Sequence, residues 1–352
     1  MVTLDELLEA CVYNAGSDLH IKADSSPLVR IYGDLLPLDV DPLTPEEVRF
    51  LCMSALTETQ RARFDEDMEL DFAYEIKGLA RFRGNIYMQR GNVGGAFRVI
   101  PYAIRTMEEL QLPEVCRKFS ERPRGLVLVT GPAGSGKSTT QAAMVDYINR
   151  SFPVHIITVE DPVEFVHTDQ QALINQRELE TDTLTFPNAL RAALREDPDV
   201  ILIGEMRDLE TIKLAITAAE TGHLVFGTLH TTDSVQTVDR VIDVFPTHQQ
   251  QQVRMQMSSN LLGVISQNLV KRADGTGRIA VFETLVAIPA VRNMIREAKT
   301  HQISSLIQTG QRYGMQSLDQ ALAALVAQRV ITYEDALSRA GNVIEFKALC
   351  GK

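Results

Sequence analysis

Residues Gly131 to Ser138 read GPAGSGKS and fit the pattern G-x-x-x-x-G-K-[ST]. An apolar run, GLVLVTG, precedes them, and TTQAAMVDYINR, with the composition of a helix, follows. Strand, turn and helix are the context a phosphate-binding loop requires. Gly131, Gly134 and Gly136 allow the backbone to wrap an anion. The loop N–H groups and the helix N-terminus then face that anion. Lys137 is placed for the β- and γ-phosphates and Ser138 for Mg²⁺, with Ser135 and Thr139 completing the nucleotide set. The ligands this predicts are ATP and Mg²⁺.

Acidic residues cluster at the next strand ends. TVEDPVEF supplies Glu160, Asp161 and Glu164. In a parallel sheet the carboxyl ends of strands face the ligand crevice. Carboxylates there can orient a water, accept its proton or hold Mg²⁺ through water. DVILIGEMRD closes an apolar strand with Gly204 and Glu205 instead of an aspartate. With several carboxylates converging, metal binding need not rest on one strand-terminal Asp, and Gly204 leaves room beside the strand end. Glu205 therefore reads as the acid of a modified Walker B strand. TAAETGHLVFGTLHTTDS sets His223 before a strand and His230 at its end. At that edge His230 can sense a γ-phosphate and relay its loss. His223 is a second candidate for the nucleotide site.

The elements that must carry these residues divide the chain into regions. Its length of 352 residues suits about two domains, and 45% apolar with 23% charged residues suits a globular chain with ample core. Residues 1–112 read as a small α+β unit. DPLTPEEVRFLCMSALT has a Thr44 cap and Pro45 in the first turn, and ARFRGNIYMQRGNVGGAFRVIP reads as two strands around a Gly/Asn turn. Residues 113–124 read as a linker. From 125 to 288 near-continuous apolar strands alternate with helices, which predicts a mostly parallel sheet covered on both faces. Residues 289–352 read as a helical cluster. Within it AVRNMIREAK sets Val291, Met294 and Ile295 on one side, and Arg292, Arg296 and Lys299 elsewhere.

The net charge of −11, the absence of Trp and the lack of any Lys/Arg run argue against a nucleic-acid translocase. Cys11, Cys52, Cys116 and Cys350 show neither C-x-x-C nor zinc spacing, which predicts reduced, mostly buried thiols. The first residues hold early acids and no apolar run of signal-peptide length. No segment approaches the roughly 20 apolar residues that span a bilayer. The expectation is a cytoplasmic protein without membrane insertion, recruited to a membrane by a partner.

GPAGSGKST, VEDPVEF, DVILIGEMRD and GHLVFGTLHTTDS, in that order and spacing, resemble the Walker A, Asp box, Walker B and His box of the secretion-superfamily ATPases. Those enzymes drive type II secretion and type IV pili, and the Gly-Glu strand end is their usual form. AVRNMIRE is similar to the AIRNLIRE motif of the retraction branch, where it matters for retraction, and the zinc module typical of assembly members is missing. The resemblance implies an α/β fold with a RecA-like P-loop domain, a PAS-like α+β domain before it and a helical cluster after it. It implies Glu164 as general base and Glu205 as the acid that supports Mg²⁺. It also implies Arg83 and Arg98 as arginine fingers, the latter in an FR-x-IP strand, and a homohexamer with ATP between domains and subunits. The implied task is pilus retraction at the cytoplasmic face of the inner membrane, on a platform protein and alongside a possible accessory retraction ATPase.

Overall fold

Alternation along ARFRGNIYMQ sets the architecture of the first unit. Ala80, Phe82, Gly84 and Ile86 are buried, while Arg81, Arg83, Asn85 and Tyr87 turn to the other side, as a strand with one covered face requires. The computed structural model describes residues 2–31, 33–100 and 103–351. Tyr32 and Pro101, the latter ending the FR-x-IP motif, lie outside the described residues, as do Met1, Tyr102 and Lys352.

This unit, Met1–Ala103, runs α1 (Leu4–Tyr13), β1 (Asp18–Lys22), β2 (Leu28–Ile31), β3 (Asp34–Pro37), α2 (Pro45–Ser54), α3 (Glu58–Asp67), β4 (Glu69–Ile76), β5 (Ala80–Gln89) and β6 (Asn92–Ile100). Among the described residues its strands form a six-stranded sheet, β3-β2-β1-β6-β5-β4, antiparallel at every pairing. Each helix opens with a capping box, on Thr3, Thr44 and Thr57. Such a box satisfies N–H groups that a helix start leaves unpaired. Leu7, Leu8, Phe64, Phe82 and Phe97 form the core between helices and sheet.

The second unit, Ile104–Lys352, continues with α4 (Glu114–Ser120), β7 (Gly125–Thr130), α5 (Lys137–Ser151), β8 (His155–Glu160), β9 (Leu173–Glu178), α6 (Phe186–Ala193), β10 (Val200–Ile203), α7 (Leu209–Glu220) and β11 (Leu224–Leu229). After these come α8 (Ser234–Asp243), α9 (Thr247–Asn260), β12 (Leu261–Lys271), β13 (Arg278–Val286), α10 (Pro289–Arg296), α11 (Ile303–Thr309), α12 (Leu318–Ala327), α13 (Tyr333–Leu337) and α14 (Val343–Leu349). The strand order is β13-β12-β7-β11-β10-β8-β9. Among the described residues only β13 runs antiparallel to its neighbour. Successive residues of one strand feed opposite layers. Leu126 and Leu128 join the core beneath α7 to α10, whereas Val127 and Val129 join the core beneath α4 and α5.

The units divide at Ala103/Ile104, ahead of the expected residue 112. The stretch read as a linker is instead partly helix α4, whose Val115, Cys116 and Phe119 are buried in the second unit. An apolar face of helical spacing, too short to stand out in sequence, docks there. The hairpin of β12 and β13 ties the helical cluster to the sheet. Thr284 and Gln316 exchange backbone hydrogen bonds at 3.0 and 3.3 Å, and the Thr284 hydroxyl donates to the Gly314 carbonyl at 2.8 Å.

Arg292 does not lie on a free helix surface. It donates from Nε to the Ala287 carbonyl at 2.7 Å, from Nη1 to Ser259 at 2.7 Å and from Nη2 to Leu261 at 3.2 Å. It thereby closes the C-terminal end of α9. The bonds to Ala287 and Leu261 are half-buried, and leaving a buried carbonyl unpaired costs about 1–3 kcal/mol. Thermal unfolding should show Arg292→Ala destabilised by about 2 kcal/mol or more. Arg296→Ala, which loses an exposed bond to Asn293, should unfold near the wild-type temperature. Equal melting temperatures for the two variants would remove the structural role of Arg292.

Candidate nucleotide site

The chain leaves fully buried β7 through a loop that only glycine permits. Gly131, Gly134 and Gly136 all hold positive φ. A Cβ on Gly131 would also stand 2.2 Å from the carbonyl oxygen of Gln267. Gln267, on β12, braces the loop at two points. Its Nε2 donates to the Ser135 carbonyl at 2.7 Å, and its Oε1 accepts from the Thr140 hydroxyl at 2.7 Å. Gly136 then opens α5 without a capping side chain, so the first N–H groups of the helix are available to phosphate oxygens. The Ser135 hydroxyl is buried with no protein partner, and Ser138 and Thr139 are half-buried in the first turn of α5.

Lys137 is only 7% exposed. Its ammonium donates to the carbonyls of Gly131 at 2.9 Å and Pro132 at 3.0 Å. Burial pulls its pKa down, opposed by the charges of Glu205 and Glu164. Nζ also lies 3.5 Å from Nδ1 of His230. On its other side the imidazole Nε2 meets Oε1 of Glu205 at 2.9 Å. These contacts suit the tautomer with hydrogen on Nε2, donating to the carboxylate while Nδ1 accepts from the ammonium. Arg207 bonds the same Glu205 oxygen. Burial pushes the Glu205 carboxyl up, but the hydrogen bond and charge of Arg207, with the hydrogen bond from His230, outweigh it and hold it below the usual range.

These groups come from strands that are neighbours in space. Lys137 follows β7, His230 follows β11, Glu205 follows β10, Glu160 ends β8, and Asp161 and Glu164 follow it. Parallel pairing brings all these ends to one edge. Gly204 has a steric reason: a Cβ there would stand 3.1 Å from both the Glu160 Cα and the Val159 oxygen. A strand-terminal side chain at that position would require β8 to give by a few tenths of an ångström.

The structure does not bring His223 to the phosphate loop. It precedes β11, at the opposite edge of the sheet, and its Nδ1 meets the Ala218 carbonyl at 2.9 Å at the end of α7. The six residues of β11 set it about 20 Å from His230 at roughly 3.3 Å per residue. The helix-capping geometry of its backbone and ring explains the residue without nucleotide. Arg83 and Arg98 face each other across β5 and β6 of the first unit. Arg98 pairs with Asp18 at 2.8 Å and Arg83 with Asp71 at 3.8 Å, and both side chains are exposed. Sequence reasoning passed over Arg207 and Gln267. Arg207 stands two residues past Glu205, a signal within reach, whereas Gln267 reaches the loop only through strand pairing.

Residues 100–338 match the family described as type II/IV secretion system protein. This chain belongs to that family. Among its secretion-family relatives, the type IV pilus retraction ATPase PilT of Pseudomonas aeruginosa is 52% identical over 96% of this chain and 98% of its own length. A twitching motility protein of Neisseria gonorrhoeae is 53% identical over 90% of this chain and 85% of its own length. A crystal structure of the pilus retraction motor PilT with bound ADP superposes with a TM-score of 0.92 at 45% identity, covering 98% of this chain and 99% of that one.

In this secretion-family ATPase the acids after β8 are not equivalent. Glu160 accepts from the Thr158 hydroxyl at 2.6 Å and from Gln176 at 3.2 Å. Burial outweighs these bonds and raises its pKa to about 6. A carboxyl that holds its proton more tightly in the folded state loses stability as pH rises from its unfolded value of 4.5 through about 6. Glu160→Gln stays neutral throughout. The melting-temperature advantage of Glu160→Gln over the wild type should therefore grow as pH is raised from 4.5 past 6 and then level off. A gap independent of pH would contradict the raised pKa.

Proposed function

We propose that this ATPase is a homohexameric motor whose ATP hydrolysis powers type IV pilus retraction. It works at the cytoplasmic face of the inner membrane on a platform protein. The observation that carries the reading is the chain of contacts from Lys137 through His230 to Glu205, spanning the ends of three adjacent strands. It couples the group that meets the terminal phosphate to the acid next to it and to the loop that leads into α8. When phosphate leaves, the partners of Lys137 change, and His230 transmits the change to α8.

ATP phosphates fit the loop N–H groups, the partnerless Ser135 hydroxyl and Lys137. Glu164 takes the proton of the attacking water, close enough to Lys137 for its charge to be felt there. Among the described residues no cluster of three or more His, Cys, Asp or Glu could cage a metal. That suits Mg²⁺, which keeps several waters and takes few protein oxygens beside phosphate. Ser138 and, through water, Glu205 would hold it, and when bound it neutralises charge developing on the phosphates. Arg83 and Arg98 complete a neighbouring protomer's site as fingers, so hydrolysis and ring deformation occur together. No helix among the described residues is long and apolar enough to cross a membrane, which is consistent with recruitment by a platform protein. The greater identity to PilT than to the pilus ATPase PilU of Pseudomonas aeruginosa, 52% against 41%, favours the main retraction role over an accessory one.

Glu164→Gln should bind ATP with near wild-type affinity and lose at least about 100-fold in turnover; unimpaired turnover would take the base role from Glu164. Arg83→Ala should lower the ATPase of the assembled ring by roughly 10³-fold and leave nucleotide binding by single protomers unchanged. A wild-type rate in the ring would remove the finger. In cells, deletion of the gene should leave excess static pili, and bald cells would point to assembly instead.

A further inference from the structure

Glu164 lies in residues 161–172, a connection from β8 to β9 with no helix or strand. Nothing in such a segment fixes a carboxylate by backbone ladder, yet a misplacement of about 1 Å costs on the order of 100-fold in rate. Side chains from β9 do the fixing here. The N–H of Val163 donates to the Glu178 carboxylate at 3.0 Å. The carbonyl of Phe165 accepts from Nε2 of Gln176 at 2.8 Å. The N–H of His167 donates to Oε1 of Gln176 at 2.7 Å. Both chain neighbours of Glu164 are thus held from one strand. Gln176 also donates to the Glu160 carboxyl at 3.2 Å.

Gln176 and Glu178 are two residues apart, so they stand on one face of β9. Glu178 is 7% exposed, and a carboxylate taken out of water has to be matched by donors; the Val163 N–H is one. The far part of the connection is tied elsewhere. Asn149 of α5, fully buried, donates to the Thr168 carbonyl at 2.9 Å and accepts from the Gln170 N–H at 3.0 Å. Because α5 begins in the phosphate loop, the segment that bears Glu164 is anchored to the phosphate-binding helix at one end and clamped by β9 at the other.

We propose that Gln176 and Glu178 are positioning residues for ATP hydrolysis: through the backbone on either side of Glu164 they hold its carboxylate in place relative to Lys137. This rests on the reading of Glu164 as the base. The hydrogen bonds described above go to the connection and not to the phosphate loop, so their loss acts on turnover and spares ATP binding.

The test is steady-state ATPase of the assembled protein with Gln176→Ala and Gln176→Met, the latter keeping side-chain length without its hydrogen bonds. Both should lower kcat by about 10–100-fold and move the KM for ATP by less than about threefold, because Lys137 and its loop keep their contacts. If Gln176→Ala does not fold, Gln176→Met carries the measurement. The double variant Glu164→Gln/Gln176→Met should show the same residual rate as Glu164→Gln alone, since both act on one step. An inactive Glu164→Gln beside a Gln176→Met with wild-type kcat would overturn the positioning role and leave the base reading standing. A further loss of full size in the double variant would also overturn it. Normal turnover by Glu164→Gln would remove the base reading, and the clamp with it.

Discussion

A buried ammonium organises the nucleotide site. Lys137 has given up most of its water, and a cation in that position must be met by dipoles or negative charge. Two loop carbonyls supply the dipoles, and Glu205 and Glu164 supply the charge. This requirement explains why acids stand at the ends of β10 and β8, on the far side of β11 from β7, and why His230, after β11, bridges the ammonium to Glu205. It also explains Arg207, which keeps Glu205 ionised against the pull of its burial. Each group answers a charge set up by its neighbour. A change at the phosphate position therefore cannot remain local.

Much of this was legible in sequence because it is local. The phosphate loop is a contiguous string whose glycines, lysine and serine announce their roles, and the acids and His230 stand at the ends of apolar runs that only a covered parallel sheet explains. The Thr44 cap was readable for the same reason. What escaped depends on partners far apart in the chain. Gln267 resembles any strand glutamine until β12 pairs with β7. The hairpin of β12 and β13 went unread although ADGTG, with Gly275 and Gly277 at positive φ, marks its turn. β9 is short and polar, LINQRE, and carries no apolar signature because one side of it holds the connection that follows β8.

Two expectations met a physical limit. His223 shares a sequence box with His230, but a strand runs between them, and a strand places its ends at opposite edges of the sheet. Proximity in a motif is not proximity in space when an extended element intervenes. Helical spacing set Arg292 apart from Val291 and Ile295 and named no partner for it. A guanidinium, however, can reach back from a helix with several donors at once, and here it closes the end of α9.

The β12–β13 hairpin joins two regions that sequence alone keeps apart. At one end Thr284 and Gln316 stitch it to the helical cluster. Within it Gln267 grips both the crest of the phosphate loop and the first turn of α5. Mechanical load on the cluster thus has a continuous hydrogen-bonded route into the cradle around the terminal phosphates. A shift of the helical cluster is therefore transmitted to both points at which Gln267 braces the loop.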